Sequence, residues 1–293
     1  MTRTLRLAAA LVVVVGLIVG LSVPAAAPRP VLQRGGFFLL AGDFHVHSFP
    51  GDGSLAPWDI AREAARRGLD VVALTNHNSM LSSRLAGYFV SPSAALLIPS
   101  EEITGVGFHL AAVGVDRTID WRGRVADAAA AVHARGGLLI AAHPSARFQP
   151  AFDAPAVAAL DGVEAAHPMI HVDERTRREV AAFYQRVVVE HPGIAAIGSS
   201  DFHNFAPVGL SRTFLFSKSR AREGVLEAIR AGRTVACDGT GQAYGPAELA
   251  ALVADDCRRA AGAPPNDASL ADRLATWCIC LGLVALVVLG VPD

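Results

Sequence analysis

His45 and His47 stand two residues apart in "GDFHVHSFPGDG" (residues 42–53), with Asp43 before them and Asp52 after. Residues two apart in an extended strand point to the same side, so both imidazoles can reach one ion. The same spacing recurs in Asp201-x-His203 within "GSSDFHN". Between the two pairs come Asn76-His77-Asn78, Glu101-Glu102, His109 and His143. Imidazole nitrogens and carboxylate oxygens in this mixture suit several divalent ions. No Cys-x-x-Cys occurs, which disfavours a thiolate zinc site, and no Gly-x-Ser-x-Gly occurs, which disfavours a serine nucleophile elbow. The chemistry such a set supports is hydrolysis assisted by metal ions.

The elements that must position these residues are short apolar runs. They read as strands at 43–47, 70–75, 95–100, 109–115, 137–143, 162–167, 194–200 and 213–217. Polar residues end most of these runs, the place where α/β sheets and barrels gather functional side chains. Stretches of helical period fill the gaps: "SLAPWDIAREAARRG", with a cap near Ser54 and a stop at Gly68, "RVADAAAAVHARGG", "ERTRREVAAFYQRVVVEHPG" and "AREGVLEAIRAGR". Such alternation argues a parallel sheet with covering helices, closed as a barrel or open.

The 293 residues are 52% hydrophobic, with mean hydropathy +0.37, and the excess lies at the two ends. Arg3 and Arg6 precede an uncharged run from Leu7 to Val23 and an Ala-x-Ala site at 25–27, the layout of a secretory signal; the run's length also suits an uncleaved anchor. A second uncharged run, Leu274 to Val291, is close to the length of a membrane span. Arg258, Arg259 and Arg273 would then lie outside, and Pro292-Asp293 supplies no positive charge inside, against the positive-inside rule. The expected organisation is a signal peptide or anchor at 1–27, a linker at 28–34, one hydrolase domain at 35–257, a linker at 258–273 and a transmembrane helix at 274–291. The domain would be membrane-anchored and extracytoplasmic. Net charge is −1, so no global field points to nucleic acid. Cys278 and Cys280 lie in the terminal run, leaving Cys237 and Cys257 as the pair that could bridge.

The ordered pieces "DFHVHS", "DG" at 52–53, "ALTNHN", "EEIT", "AHP" and "GSSDFHN" resemble the polymerase and histidinol phosphatase (PHP) family of metal-dependent hydrolases. "GVLEAIRAGRTVA" further resembles its carbaryl-hydrolase-like branch. The resemblance implies a distorted (β/α)7 barrel, flanked here by the two hydrophobic helices, and two or three ions such as zinc, manganese or iron. It implies that His45, His47, Glu102 and Asp201 hold one ion, that Glu102 bridges to a second held by His109 and His143, and that Asp52, His77 and His203 hold a third. Glu102 is preferred over Glu101 by its "EIT" context, and alternation lets only one of the two face the site. The family usually carries Asp where Asn76 stands; an amide hydrogen-bonds there but adds no charge.

Asp43 is expected to support a ligand imidazole from behind, and Arg147 either to clamp a phosphate or to sit in a solvated loop. Arg212 is a weaker clamp; Glu164 and His167 either support a metal ligand from behind or, the preferred reading, are core or rim residues like His171; His133 and His191 lie outside the site. The expected substrate is a small, phosphorylated ester hydrolysed at the membrane. Carboxyl-ester, carbamate or amide hydrolysis is the alternative, and a catalytically weak metal-binding sensor is the reading from another class.

Overall fold

The computed structural model describes residues 2–22, 29–89, 95–168, 174–204, 206–262 and 270–290. Residues 263–269 of the linker expected at 258–273 fall outside these residues, as does His171. The strands are β1 (Gln33–Arg34), β2 (Phe37–Val46), β3 (Val71–Leu74), β4 (Leu96–Gly105), β5 (Phe108–Val113), β6 (Leu138–Ala141), β7 (Gly162–Ala166), β8 (Ala195–Gly198), β9 (Arg212–Ser217), β10 (Thr234–Cys237) and β11 (Ala243–Tyr244). The helices are α1 (Thr2–Ser22), α2 (Pro57–Arg66), α3 (Leu81–Phe89), α4 (Val125–His133), α5 (Ala154–Ala158), α6 (Glu174–Glu190), α7 (Arg222–Arg230), α8 (Ala247–Ala261) and α9 (Leu270–Gly290).

One sheet runs in the order β11-β10-β9-β2-β3-β4-β5-β6-β7-β8. It is mixed, which corrects the expectation of a parallel sheet: β2-β3-β4 and β6-β7-β8 pair parallel, whereas β9, β10, β11 and β5 enter antiparallel. The physical reason is the short β4–β5 turn through Val106-Gly107, too brief for a crossover helix. The sheet is nearly closed. Where β8 meets β9, the Thr213 hydroxyl donates to the Gly198 carbonyl and accepts from the Gly198 amide, both at 2.9 Å. A Cβ at Gly198 would stand 2.4 Å from the Arg212 carbonyl, so this seam needs glycine.

The barrel interior is filled by Leu40, Phe44, Val71, Ala73, Ile98, Ala111, Val113, Leu138, Ile140, Ile197 and Leu215. Val225, Leu226 and Ile229 of α7 join this cluster from the amino end of the parallel strands, leaving their carboxyl ends open for polar groups. Outside, α4, α5 and α6 pack on one flank and α2 and α8 on another. A disulfide between Cys237 and Cys257, Cα atoms 5.4 Å apart, ties β10 to α8.

Helix α2 starts on Pro57 after Ala56, with no side-chain cap, rather than from Ser54. Gly68 and Gly136, at φ 79° and 69°, sit just past the ends of α2 and α4 as expected. The domain limit expected at 257 falls inside α8, whose Val253 and Cys257 are buried, and the terminal helix begins at Leu270 rather than 274.

Candidate metal centre

Strand β2 delivers the first two imidazoles, and a bulge aims them. Gly42 and Asp43 pair with Val71 and Val72, but Val46 pairs with Leu74, so β2 carries one extra residue there. The slip lets Phe44 fill the barrel interior while His45 and His47 turn to the same cavity above it. Both are fully buried.

Three groups of donors converge. His45 Nε2 and His47 Nε2 are 3.1 Å apart, each faces Asp201 Oδ1 at 3.2 and 3.1 Å, and Glu102 Oε2 lies 3.3 and 3.4 Å from them. Glu102 then reaches the second group through its other oxygen, 2.7 Å from His109 Nδ1 and 3.4 Å from His143 Nε2. In the third, Asp52 Oδ2 stands 3.1 Å from His203 Nε2 and 3.2 Å from His77 Nε2, while its Oδ1 meets His47 Nδ1 at 3.0 Å. The groupings His45–His47–Asp201 and His47–Asp52–His77–His203 each bring one donor atom per residue within 4.8 Å of the others, the spread that one ion can bridge. All nine expected ligands are therefore brought together. Asp201 and His203 lie beyond β8, in a loop, so turn geometry rather than strand alternation places them.

The donor set fits divalent cations. Glu102 Oε2 and Asp201 Oδ1 are buried and face imidazole nitrogens at 2.7 to 3.5 Å without the geometry of a hydrogen bond. His143 and Asp201 also hold positive φ, 29° and 46°, a conformation that costs energy outside glycine and marks functional sites. The titration pattern agrees. Burial disfavours charge on His47, but Asp201, Asp52 and Glu102 outweigh it and push its pKa up to about 10. Burial likewise opposes charge on His77, yet Asp52 and Glu102 raise it to about 9. Burial would raise Glu102, but His45, His109 and His143 hold it well below the usual carboxylate range. The centre is a trap for positive charge.

Glu164 of β7 and His167 just beyond it, for which core or rim roles were preferred, stand beside the donors. Glu164 Oε1 meets His45 Nδ1 at 2.9 Å and Glu164 Oε2 accepts from the His143 amide at 2.6 Å, so it orients the first imidazole and pins the second ligand's backbone. His167 is buried, with Nε2 3.3 Å from Asp201 Oδ2, and groups with His45 and His143. The signal for both was "GVEAAH", a strand ending in a polar residue like the others.

Asp43 supports the backbone instead of an imidazole. Its carboxylate accepts from the amides of His45, Ser200 and Gly209, at 3.3, 3.0 and 2.7 Å, fastening β2 to the segment that presents Asp201. Burial pushes its pKa up to about 6, against those hydrogen bonds. Asn76 does not face the donors: its oxygen accepts from the Ser48 amide, and its nitrogen donates to the carbonyls of Ser48 and Pro50 and to the Ser82 hydroxyl. It fastens the loop that carries Asp52. Arg147 lies over the Phe148 ring, whose other neighbours are His109 and His143, one aromatic layer from the donors. Arg212 is buried and donates to the carbonyls of Gly209 and Arg67, a structural role. Glu101 faces away from the centre and accepts from the Ile119 amide. His133 pairs with Asp161 at a distance from the site.

Residues 186–234, which include Asp201 and His203, match the family model described as PHP-associated. No curated protein matches the chain. Among solved structures, a two-domain protein from Bacteroides vulgatus, containing a predicted PHP-like metal-dependent phosphoesterase, aligns over 77% of this chain and 73% of its own, at 23% identity and TM-score 0.61. A protein from Bifidobacterium adolescentis, described as a candidate metal-dependent phosphoesterase, aligns over 65% of this chain and 96% of its own, at 17% identity and TM-score 0.47. PsfC from Pseudomonas syringae aligns over 75% and 98%, at 17% and 0.47. The chain thus carries a PHP-associated segment within an α/β, nearly closed barrel whose fold it shares with the Bacteroides protein.

Proposed function

We propose that the chain is a metal-dependent phosphoester hydrolase whose domain is held outside the cytoplasm by its terminal helices. One observation carries the reading: nine donors from seven separate segments converge in overlapping groups, among them the ion-sized sets His45–His47–Asp201, His77–Glu102–His109 and His47–Asp52–His77–His203, with Glu102 also 3.4 Å from His143. In this reading His45, His47, Glu102 and Asp201 hold one cation, Glu102 with His109 and His143 a second, and Asp52, His77 and His203 a third, with zinc, manganese or iron as the ions. Bound divalent ions would supply Lewis acidity and water activated at neutral pH.

The chain's own groups supply the rest. Glu164 holds the His45 ring, Asp43 fixes the β2 end against Ser200, and Asn76 fixes the Asp52 loop. Phe148 packs against the rings of His109 and His143, and Arg147, lying over the Phe148 ring, is placed in this reading to meet an arriving phosphate. The disulfide suits an oxidising compartment, which supports export.

Purified full chain, loaded with manganese or zinc, is expected to release phosphate from p-nitrophenyl phosphate and to lose that activity with chelator. Metal-loaded protein inert on phosphomonoesters and phosphodiesters but active on aryl esters or carbamates would overturn the phosphoester class in favour of chemistry like that of the carbaryl-hydrolase-like branch.

A further inference from the structure

Helices α1 and α9 pack against each other along their length, antiparallel. A Cβ at Gly16 would stand 2.8 Å from the Ala275 carbonyl, and one at Gly282 would stand 2.9 Å from the Ala9 carbonyl, so small residues let the two backbones close. At the far end Arg6 Nε donates to the Leu289 carbonyl at 2.6 Å. The outer faces are apolar and bare: Leu7, Leu11, Ile18, Leu281, Val284, Val287 and Val288 are each 59 to 68% exposed. A soluble surface does not keep a patch of this size. Each helix holds an 18-residue window of mean hydropathy 2.0 or more, the composition of a membrane span.

The near end of the pair rests on the metal centre's own loop. Thr276 donates to Asp59 Oδ2 at 2.5 Å and accepts from the Ala56 amide at 3.3 Å. Ile279 packs with Ala56 and Trp58, and Leu17 and Phe49 join that cluster. Phe49 is three residues from Asp52, so their Cα atoms lie within about 11 Å. The loop is compact, since the Phe49 amide donates to the Leu55 carbonyl at 2.8 Å and the Ser54 amide to the His203 carbonyl at 2.8 Å. This is also the side on which the centre opens: the side chains of Asp52, His77 and His203 are 44, 36 and 29% exposed, whereas His45 and His47 are at 0%.

We propose that α1 is retained and crosses the bilayer beside α9, and that the pair's docking on the Asp52 loop sets the open rim at the lipid surface, where the centre takes the terminal phosphoryl head of a membrane-borne amphiphile. This rests on the phosphoesterase reading above. Arg3 and Arg6 then mark the cytoplasmic end of both helices, and Arg6 places a positive charge at the carboxyl end of α9. Three cation positions suit a terminal phosphoryl group, which carries three free oxygens and up to two negative charges. A headgroup anchored in the same membrane meets the rim at high effective concentration, which a soluble ester does not.

The test uses the full chain carrying an epitope tag before Met1. The tag is expected to stay on the membrane-extracted protein at unprocessed mass. Reconstituted into phosphatidylcholine vesicles with manganese, the protein is compared on phosphatidic acid in the bilayer, glycerol 3-phosphate in solution and p-nitrophenyl phosphate in solution. kcat/KM for phosphatidic acid is expected to exceed that for glycerol 3-phosphate by on the order of tenfold or more. Thr276→Val is expected to lower the vesicle reaction severalfold and leave the aryl phosphate reaction unchanged. Loss of the tag by cleavage near Ala27, or equal turnover of the two glycerol phosphates, or a Thr276→Val protein with an undiminished vesicle reaction, overturns the proposal while aryl phosphate hydrolysis leaves the phosphoesterase reading standing. No manganese-dependent release from any of the three overturns both.

Discussion

His45 and His47 have no exposed surface, whereas Asp52, five residues beyond His47, keeps 44% of its side chain exposed. The first two stand at the end of a strand and are braced by a barrel full of apolar side chains; the third hangs on a loop fastened by Asn76, by Ser54 and by the terminal helices. Donors held by strands are preorganised and dry, so ions bound there should exchange slowly. Donors held by a loop face solvent and substrate, so an ion there should be weaker and its loss should be felt first in substrate binding. The centre is thus a rigid floor with an adjustable rim.

The contrast breaks most visibly at His45. His45→Ala removes a floor donor that also meets Glu164, leaving a buried carboxylate without its partner. Metal content measured on the purified protein should fall with activity, and the rate loss should exceed the roughly 10–100-fold that outer-shell partners of metal ligands cost. Full metal occupancy in this variant would show that the floor is not where the ions sit.

Asp52→Asn sharpens the same contrast from the rim. It removes the charge shared by His47, His77 and His203, each within 3.2 Å. The floor ions should remain, one equivalent of metal should be lost on dialysis, and KM should rise more than kcat falls. An equal loss of all metal would mean that floor and rim act as one unit. Glu164→Gln should lie between this and wild type, about tenfold in metal affinity, because glutamine still reaches His45 Nδ1 but without charge.

How far this division was legible in the sequence depends on strand parity. Most of the donors could be picked out because they end apolar runs, while Asp52 in its loop and His109 at a strand start came with the family resemblance, as did the choice of Glu102 over Glu101, since alternation says only that one of the two faces the site. Their sorting into three groups came with the family resemblance. Glu164 and His167 were weighed as supports of the ligands but preferred as core or rim residues, and three residues apart in a regular strand they would lie on opposite faces. In β7 the register slips between Glu164 and Ala166, and the extra residue turns both toward the centre. Bulges are set by the partner strand and leave little local trace. Helix α8 and strands β10 and β11 carry none of the nine donors, and only the possible Cys237–Cys257 bridge and the segment "GVLEAIRAGRTVA" drew attention to them. The hydropathy of the terminal helices was plain, but their pairing depends on small residues, Ala9, Gly16, Ala275 and Gly282, that are too common in this chain to stand out.

Asn76→Asp tests what fastens the rim. The amide nitrogen donates to two backbone carbonyls and a hydroxyl, and a carboxylate there would face those carbonyls as an acceptor. Asp at this position should therefore bring no gain in rate and should lower stability by about 1–3 kcal/mol, the range for leaving buried polar groups unsatisfied. A faster enzyme of unchanged thermal midpoint would mean that the position serves the reaction after all.

The smallest effect is expected on the other face of the floor, where Glu101 is buried beside Glu102 but points outward. Burial pushes its pKa up from 4.5 to about 7, against the Ile119 amide and the Arg135 charge. The folded value lies above the unfolded one, so the fold favours the neutral acid. The stability contributed by this group is whole below pH 4.5 and is lost as pH rises through 7. Glu101→Gln keeps an oxygen for the Ile119 amide and removes the charge. It should raise the urea midpoint at pH 8 by about 1 kcal/mol of stability, less than the ~3 kcal/mol the shift alone implies, because the new amide must also be buried. The gain should shrink through pH 7 and be gone by pH 4.5, with metal content unchanged throughout. A gain that persists in acid would trace to packing, and a loss of metal would mean that Glu101, and not only Glu102, belongs to the floor.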